Sequence, residues 1–163
     1  MPLSNSQTYP TGQANPFVAR TWAVLPAANA WDTTPNVAVA QGFWWARLYF
    51  AYQRTHATLG SVEYYYDLSP FSGAALVGGS AQQWFHGTLY VPGKLTPCRT
   101  VHSTVQQEYI SYCATSADIE TFISPPIHLG GCIERLRVFC RENTVTAAQP
   151  GWAEVTAVFY AEG

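Results

Sequence analysis

Pairs of acidic residues that could serve a hydrolytic site occur twice in this sequence. Asp118 and Glu120 would share one face of a strand, and Glu63 and Asp67 would share a face at wider spacing. A glycoside hydrolase needs two carboxylates that face each other across a cleft. Because the chain has ten acidic residues, an i, i+2 pair is expected by chance. We therefore interpret both pairs as solvated side chains.

Motifs for nucleophilic catalysis and for phosphate binding are absent. The chain has no G-x-S-x-G elbow, no G-x-x-x-x-G-K-[ST] loop and no G-x-G-x-x-G turn. None of the four histidines lies in a catalytic-loop motif, and we expect ordinary hydrogen bonds for His56, His86, His102 and His128. The sequence predicts a protein without enzymatic activity.

The cysteines lack the spacing of a zinc site, since no C-x-x-C pair occurs among Cys98, Cys113, Cys132 and Cys140. Cys98 and His102 would be about 13 Å apart in a strand, too far for one zinc ion. Cys132 and Cys140, about 26 Å apart on one predicted strand, cannot bond to each other. We expect buried free thiols and a reducing place of synthesis, with bridged pairings as the alternative. No metal or cofactor is expected.

Charged residues make up only 11% of the 163 residues, against about 25% in an ordinary soluble domain. All but one of the eight basic residues are arginines, which are enriched at protein interfaces. The net charge of −2 disfavours nucleic acid and anionic membranes as partners, and no apolar run approaches the ~20 residues that span a bilayer. This composition predicts a surface largely in contact with other molecules.

β-branched and aromatic runs alternate with Gly, Pro, Asn and Ser clusters, a pattern typical of antiparallel strands. We predict strands over residues 20–25, 43–54, 61–68, 83–91, 100–112, 118–123, 132–142 and 152–160. About eight strands at this spacing predict an all-β fold, an antiparallel two-sheet β-sandwich with jelly-roll-like topology.

Residues 1–19 contain three prolines, one glycine and no charged residue, without an apolar period. We predict an extended N-terminal arm over 1–19 and a single sandwich domain over 20–163. The arm either frays, as most termini do, or orders by lying on a neighbouring subunit.

The predicted strand 132–142 has one apolar and one basic face. Leu136, Val138 and Cys140 share the first, whereas the second carries Arg135, Arg137 and Arg141. Such a stripe either pairs with acidic neighbours and solvent or contacts an acidic partner surface. The closing strand also alternates, and its predicted core face is Ala153, Val155, Ala157 and Phe159.

The segment 42–52 is apolar on both faces. One face is predicted to carry Phe43, Trp45 and Tyr49, and the other Trp44, Leu48, Phe50 and Tyr52. The run from Tyr64 to Tyr66 repeats this feature. Only one face of each sheet meets the core of a sandwich, so the second face must be covered by a loop, a subunit or a ligand. We expect a homo-oligomer that assembles through such a face.

A glycan is the alternative ligand for the same aromatic side chains. An aromatic platform with a few hydrogen-bonding groups can bind sugar, and the candidates are Trp44, Trp45, Trp84 and Tyr65, flanked by Gln82, Gln83 or Asp67. A lectin-like, carbohydrate-binding β-sandwich is therefore the second hypothesis.

The last part of the chain adds a resemblance. Residues 117–163, with the LGG turn, the ERLRVFCRE strand and the closing PGWAEVTAVFY strand, resemble auxiliary structural proteins of tailed bacteriophage particles. The resemblance implies a non-catalytic, often trimeric β protein that decorates the capsid or forms head, tail or fibre parts. It also implies a virion location after assembly in the host cytoplasm, with partners such as the major capsid protein. From the residues themselves, the interface candidates are Trp44, Trp45, Tyr64, Tyr65, Trp84, Arg135, Arg137 and Arg141.

Overall fold

The computed structural model describes residues 14–26, 30–71, 84–86, 109–143 and 150–161. These residues form ten strands and no helix, which confirms the all-β prediction. The strands are β1 (Phe17–Val24), β2 (Val37–Val39), β3 (Trp45–Gln53), β4 (Ser61–Ser69), β5 (Phe85–His86), β6 (Ile110–Cys113), β7 (Glu120–Ile123), β8 (Ile127–His128), β9 (Arg135–Asn143) and β10 (Trp152–Tyr160). None of the described residues belongs to a helix long and apolar enough to cross a membrane.

The strands form two antiparallel sheets, which confirms the two-sheet sandwich. Sheet 1 has the order β1-β10-β3-β7, and β8 also pairs with β3. Sheet 2 has the order β2-β9-β4-β5, and β6 also pairs with β4. The pairings are nested along the chain, since β1 pairs with β10, β2 with β9, β3 with β7 and β8, and β4 with β5 and β6. Successive pairs alternate between the two sheets.

The core lies between the sheets and is formed by alternate residues of the long central strands. On β3 the buried set is Ala46, Leu48, Phe50 and Tyr52, and on β10 it is the predicted set of Ala153, Val155, Ala157 and Phe159. Phe50 of sheet 1 packs on Tyr64 of sheet 2 with ring centroids 4.5 Å apart. This burial of alternate apolar side chains holds the two sheets together.

Several predicted boundaries differ from the structure. The strand predicted at 132–142 begins at Arg135, because Gly130 and Gly131 adopt positive φ in a turn that includes Cys132. Cys132 and Cys140 therefore do not share a strand. Cys113, Cys132 and Cys140 are free thiols, but the first two are exposed, so their predicted burial is wrong. Cys98 and His102 lie outside the described residues.

The boundary of the arm predicted over 1–19 also differs, because sheet 1 begins earlier. β1 starts at Phe17 and pairs with β10. Asn15 is buried, donates a hydrogen bond to the Phe159 carbonyl (2.9 Å) and accepts one from the Phe159 amide (3.1 Å). Residues 14–19 therefore belong to the sandwich, and residues 1–13 of the predicted arm lie outside the described residues.

A buried carboxyl links the two sheets at one end of the core. Tyr52 of β3 donates a hydrogen bond of 2.6 Å to Oε1 of Glu142 on β9, whose side chain is 0% exposed. Oε2 of Glu142 has no hydrogen-bond partner in the described part of the chain. Burial raises the pKa of Glu142 to about 7, against the lowering effect of the Tyr52 hydrogen bond. Gly60 and Gly151 leave room for the pair, since a Cβ at either would lie within 2.8 Å of the Tyr52 side chain.

The buried Tyr52–Glu142 pair predicts that the free energy of unfolding falls as pH rises. Between the ordinary carboxyl pKa of 4.5 and the folded value of about 7, only the folded state keeps the Glu142 proton, so rising pH favours unfolding. Relative to Glu142→Gln, the wild type should lose about 3 kcal/mol of unfolding free energy over that interval, at ~1.4 kcal/mol per pKa unit. Urea unfolding at several pH values measures this difference. Asp118→Asn, at an exposed carboxyl, should follow the wild type; parallel curves for Glu142→Gln and wild type would contradict the assignment.

Candidate interaction surface

Ion pairs and an aromatic stack join β4 and β9 on the outer face of sheet 2. Register places Glu63 opposite Arg141, Tyr65 opposite Phe139 and Asp67 opposite Arg137. Arg141 donates to Glu63, which is 3% exposed, and Arg137 forms a 3.0 Å ion pair with Asp67. Tyr65 stacks on Phe139 with ring centroids 4.7 Å apart. The carboxylates of Glu63 and Asp67 are therefore neutralised by Arg141 and Arg137 within the chain.

Aromatic side chains from loops lie over these arginines. Trp31, between β1 and β2, is 4.1 Å from the Arg141 guanidinium and packs against Tyr65. Trp84, just before β5, lies over Arg137 (4.2 Å) and Arg135 (4.6 Å). Tyr109, just before β6, is 4.8 Å from Arg141. Each contact is a cation–π interaction, which gains strength where the cation is shielded from water.

The outer face of β4 and β9 in sheet 2 is thus covered by the chain itself. Of the two interpretations of the arginine stripe, the structure shows pairing with acidic neighbours for Arg137 and Arg141, while Arg135 donates to the Phe71 carbonyl. Five of the eight predicted interface candidates lie beneath or within this layer: Tyr65, Trp84, Arg135, Arg137 and Arg141. Tyr64, which is 1% exposed, packs in the core and cannot contact a partner.

The outer face of sheet 1 is different, because its apolar side chains remain exposed. The central row across the sheet joins Val18, Thr156, Tyr49 and Ile123 on β1, β10, β3 and β7. Ile123 is 53% exposed, and Val18 and Tyr49 are also exposed. The Tyr49 hydroxyl shares a 3.2 Å hydrogen bond with the Tyr160 hydroxyl, and burial and this bond raise the pKa of Tyr160 to about 12. A shallow groove of about 520 Å³ runs beside Tyr49 and Ile123.

Tryptophans lie at both ends of this face. At one end Trp22 of β1 and Trp152 of β10 stack with ring centroids 6.4 Å apart, and both are exposed. At the other end Trp45 lies on the outer side of β3 with its ring 4.9 Å from that of His128. Trp44 is 49% exposed and lies over Gly131. Two of the predicted interface candidates, Trp44 and Trp45, therefore lie together beside this face.

The predicted orientation of Trp44 is wrong. The sequence alternation predicts that Trp44 shares a strand face with Leu48 and Phe50, but the strand begins only at Trp45. The turn at Gly42, with φ of 82°, buries Phe43 against Phe159 and directs Trp44 to the surface. Its backbone carbonyl accepts hydrogen bonds from the amides of Leu129 and Gly130 instead of a regular strand neighbour.

Only two charged side chains lie among the apolar residues of the central rows of this face, Arg47 on β3 and Glu154 on β10. No ion pair joins either of them to another described residue. The described residues also contain no group of three His, Cys, Asp or Glu side chains that could hold a metal ion. The described part of this surface is therefore largely apolar, with two charges that are not paired to each other.

Sequence reasoning missed the residues that make this face, Val18, Trp22, Ile123 and Trp152. Ile123 and Trp152 each lie in a predicted strand, and the alternation of β10 places Trp152 on the face opposite to Ala153. The sequence therefore contained a signal that Trp152 lies on the outer face. The sequence pattern did not reveal that loop aromatics would cover the outer face of sheet 2 and leave that of sheet 1 open.

Removal of one member of the sheet 2 layer tests its contribution to stability. Arg141→Ala should lower the free energy of unfolding by about 3 kcal/mol, because it removes the Arg141 guanidinium from the buried Glu63 carboxylate. Arg47→Ala, at an exposed arginine, should change it by less than about 0.5 kcal/mol in dilute solution. Urea denaturation measures both. Similar losses for the two variants would show that the layer does not stabilise the fold.

Comparison with known proteins gives no relative for this chain: no family model, no curated protein and no solved structure matches it.

Proposed function

We propose that this chain is a non-enzymatic structural protein of a virion, a capsid decoration or auxiliary head or tail protein that self-associates and docks on other particle subunits. The observation that carries the proposal is the exposed, almost uncharged outer face of sheet 1. Contiguous apolar patches on a soluble protein mark interaction sites. The opposite sheet does not offer such a patch at β4 and β9, because its own ion pairs and loop aromatics cover it.

Composition supports the same function. With 11% charged residues in the whole chain, the surface lacks the mixed charges that keep freely diffusing proteins apart. Three ion pairs, between Arg20 and Asp32, Arg137 and Asp67, and Arg141 and Glu63, take up six of the described charges within the fold. These pairs lower further the number of charges that face solvent, as expected for a subunit that is surrounded by other subunits in a particle.

The order of strand pairing supports the finer prediction of a jelly roll. β5 and β6 both pair with β4, and β7 and β8 both pair with β3, so each of these two pairs occupies one position in its sheet. The sandwich then has eight positions, nested as first with eighth, second with seventh, third with sixth and fourth with fifth. Jelly rolls with two Greek keys are common in viral capsid proteins and in lectins.

A carbohydrate-binding module is the alternative, and the exposed pair of Trp22 and Trp152 is the observation that favours it. A glycan would lie on these indoles and extend toward the groove beside Tyr49 and Ile123. Trp44 and Trp45, predicted as sugar platforms, lie at the other end of the same face, and Trp84 is held against Arg135 and Arg137. The aromatic platform of a carbohydrate-binding module would therefore be Trp22 and Trp152 rather than the predicted tryptophans.

A single charge on the open face should prevent self-association. Ile123→Asp places a carboxylate in the apolar central row, where burial against a partner would require its desolvation. The wild type should sediment as an oligomer at micromolar concentration and Ile123→Asp as a folded monomer, because Ile123 is 53% exposed in one chain. Leu59→Asp is the matched control, 46% exposed in the loop between β3 and β4, and should leave the oligomer intact. A monomeric wild type would overturn the assembly proposal.

Two further observations separate the virion function from the glycan alternative. Capsid, portal or tail genes next to the gene for this chain would support the virion function, and neighbouring genes of sugar metabolism would contradict it. On a glycan array the wild type should give no saturable signal. A signal abolished by Trp22→Ala and Trp152→Ala, but not by Trp44→Ala, would favour the carbohydrate-binding module instead.

A further inference from the structure

We infer that the occupant of the sheet 1 face is a second copy of this chain, packed face to face about a two-fold axis with reciprocal Arg47–Glu154 ion pairs. The inference rests on the proposed self-association and specifies its geometry. It follows from where the two isolated charges of the face lie relative to its apolar centre.

The two charges lie symmetrically about the central row of Val18, Thr156, Tyr49 and Ile123. Register places Glu154 on β10, two residues before Thr156, and Arg47 on β3, two residues before Tyr49 on the antiparallel strand. The charges are thus on opposite sides of the row, separated by four residues along the strands and one strand spacing, about 14 Å between Cα atoms. The midpoint between them lies between Thr156 and Tyr49.

This arrangement is self-complementary. A two-fold axis parallel to the sheet, passing over Thr156 and Tyr49 at right angles to the line between the charges, exchanges the two charged positions. Arg47 of each copy then faces Glu154 of the other, and the central rows pack on each other. Neither charge has an ion-pair partner among the described residues of its own chain, so both are available for this contact.

Strand geometry is compatible with the same axis. The line between the two charges is inclined to the strands by about 20°. Because the two-fold axis is perpendicular to this line, the strands of the second copy are inclined by about 20° in the opposite sense. The strands of the two copies therefore cross at about 40°. Aligned sheets in sandwiches cross at about 30°. The dimer would therefore continue the packing already used inside each chain, with Tyr49 and Ile123 in the position of core residues.

The size of the face is adequate for a stable dimer. Sheet 1 has four strand positions, and its longest strands, β3 and β10, have nine residues, so the face measures up to about 19 Å by 30 Å, or roughly 600 Å² in projection. Side-chain relief increases the accessible area above this projection, toward the ~800 Å² that each partner contributes to a standard interface. A single small ligand in the groove would leave most of this face exposed.

Charge reversal tests the axis directly. Alone, Arg47→Glu places two carboxylates opposite each other at both contacts, and Glu154→Arg places two guanidinium groups there. Each variant should dissociate at least about 100-fold more readily than wild type, since like charges in contact disfavour a complex strongly. Mixed in equal amounts, the two variants should form a one-to-one heterodimer, because both contacts again join opposite charges. Native mass spectrometry and sedimentation measure stoichiometry and affinity.

Controls distinguish this inference from the proposed function. Glu134→Arg, just before β9 in sheet 2, should dimerise as wild type does. A wild-type oligomer that Ile123→Asp disrupts, but whose charge variants stay associated or do not recover on mixing, would overturn the two-fold geometry and leave the face as the contact site. A wild-type trimer would also overturn it. A wild type that stays monomeric would overturn both the inference and the proposed self-association.

Discussion

The register between β4 and β9 is the constraint on which the surface of this molecule depends. It sets Glu63 against Arg141 and Asp67 against Arg137 on the outer side, and Tyr64 and Val138 toward the core. A shift of one residue would move the carboxylates and guanidinium groups into the core and the apolar side chains outward. Because buried charges are tolerated only when they are paired, the ion pairs and the hydrophobic core specify the same register.

Once the charges are arranged in this way, the two outer faces of the sandwich become unequal. The arginines of β9 attract Trp31, Trp84 and Tyr109 from three separate loops, and these rings exclude water from the outer side of β4. Sheet 1 has no comparable set of charges, with only Arg47 and Glu154 near its centre, and none of the described loops covers it. The low charge content of the sequence is therefore most evident on the outer face of sheet 1.

The sequence predicted what local alternation can determine. The predicted closing strand has the observed bounds of Trp152–Tyr160 and the correct core face, because its buried residues alternate with less buried ones from Trp152 to Ala157. β2 and β8, with three and two residues, have too short a period to be recognised. The exposure of an aromatic residue depends on its neighbours across the sheet, which the sequence does not show. Tyr65 is buried by Phe139 and Trp31, whereas Trp45 lies on the opposite sheet. The sequence therefore offers no reason to prefer one of these two residues over the other as an interface candidate. That is why the candidates were divided between a closed face and an open one.

The edges of sheet 1 explain why its face, rather than its border, is the surface for association. A free edge strand offers unpaired amides and carbonyls to another chain. β1 is interrupted by register shifts around Arg20, whose guanidinium donates to the carbonyls of Thr21, Ala23 and Val24. On the other edge, Pro125 and Pro126 separate β7 from β8, and proline has no amide to donate. Since neither border presents a continuous ladder, β10 and β3, paired over nine residues without a bulge, provide the regular platform of this sheet.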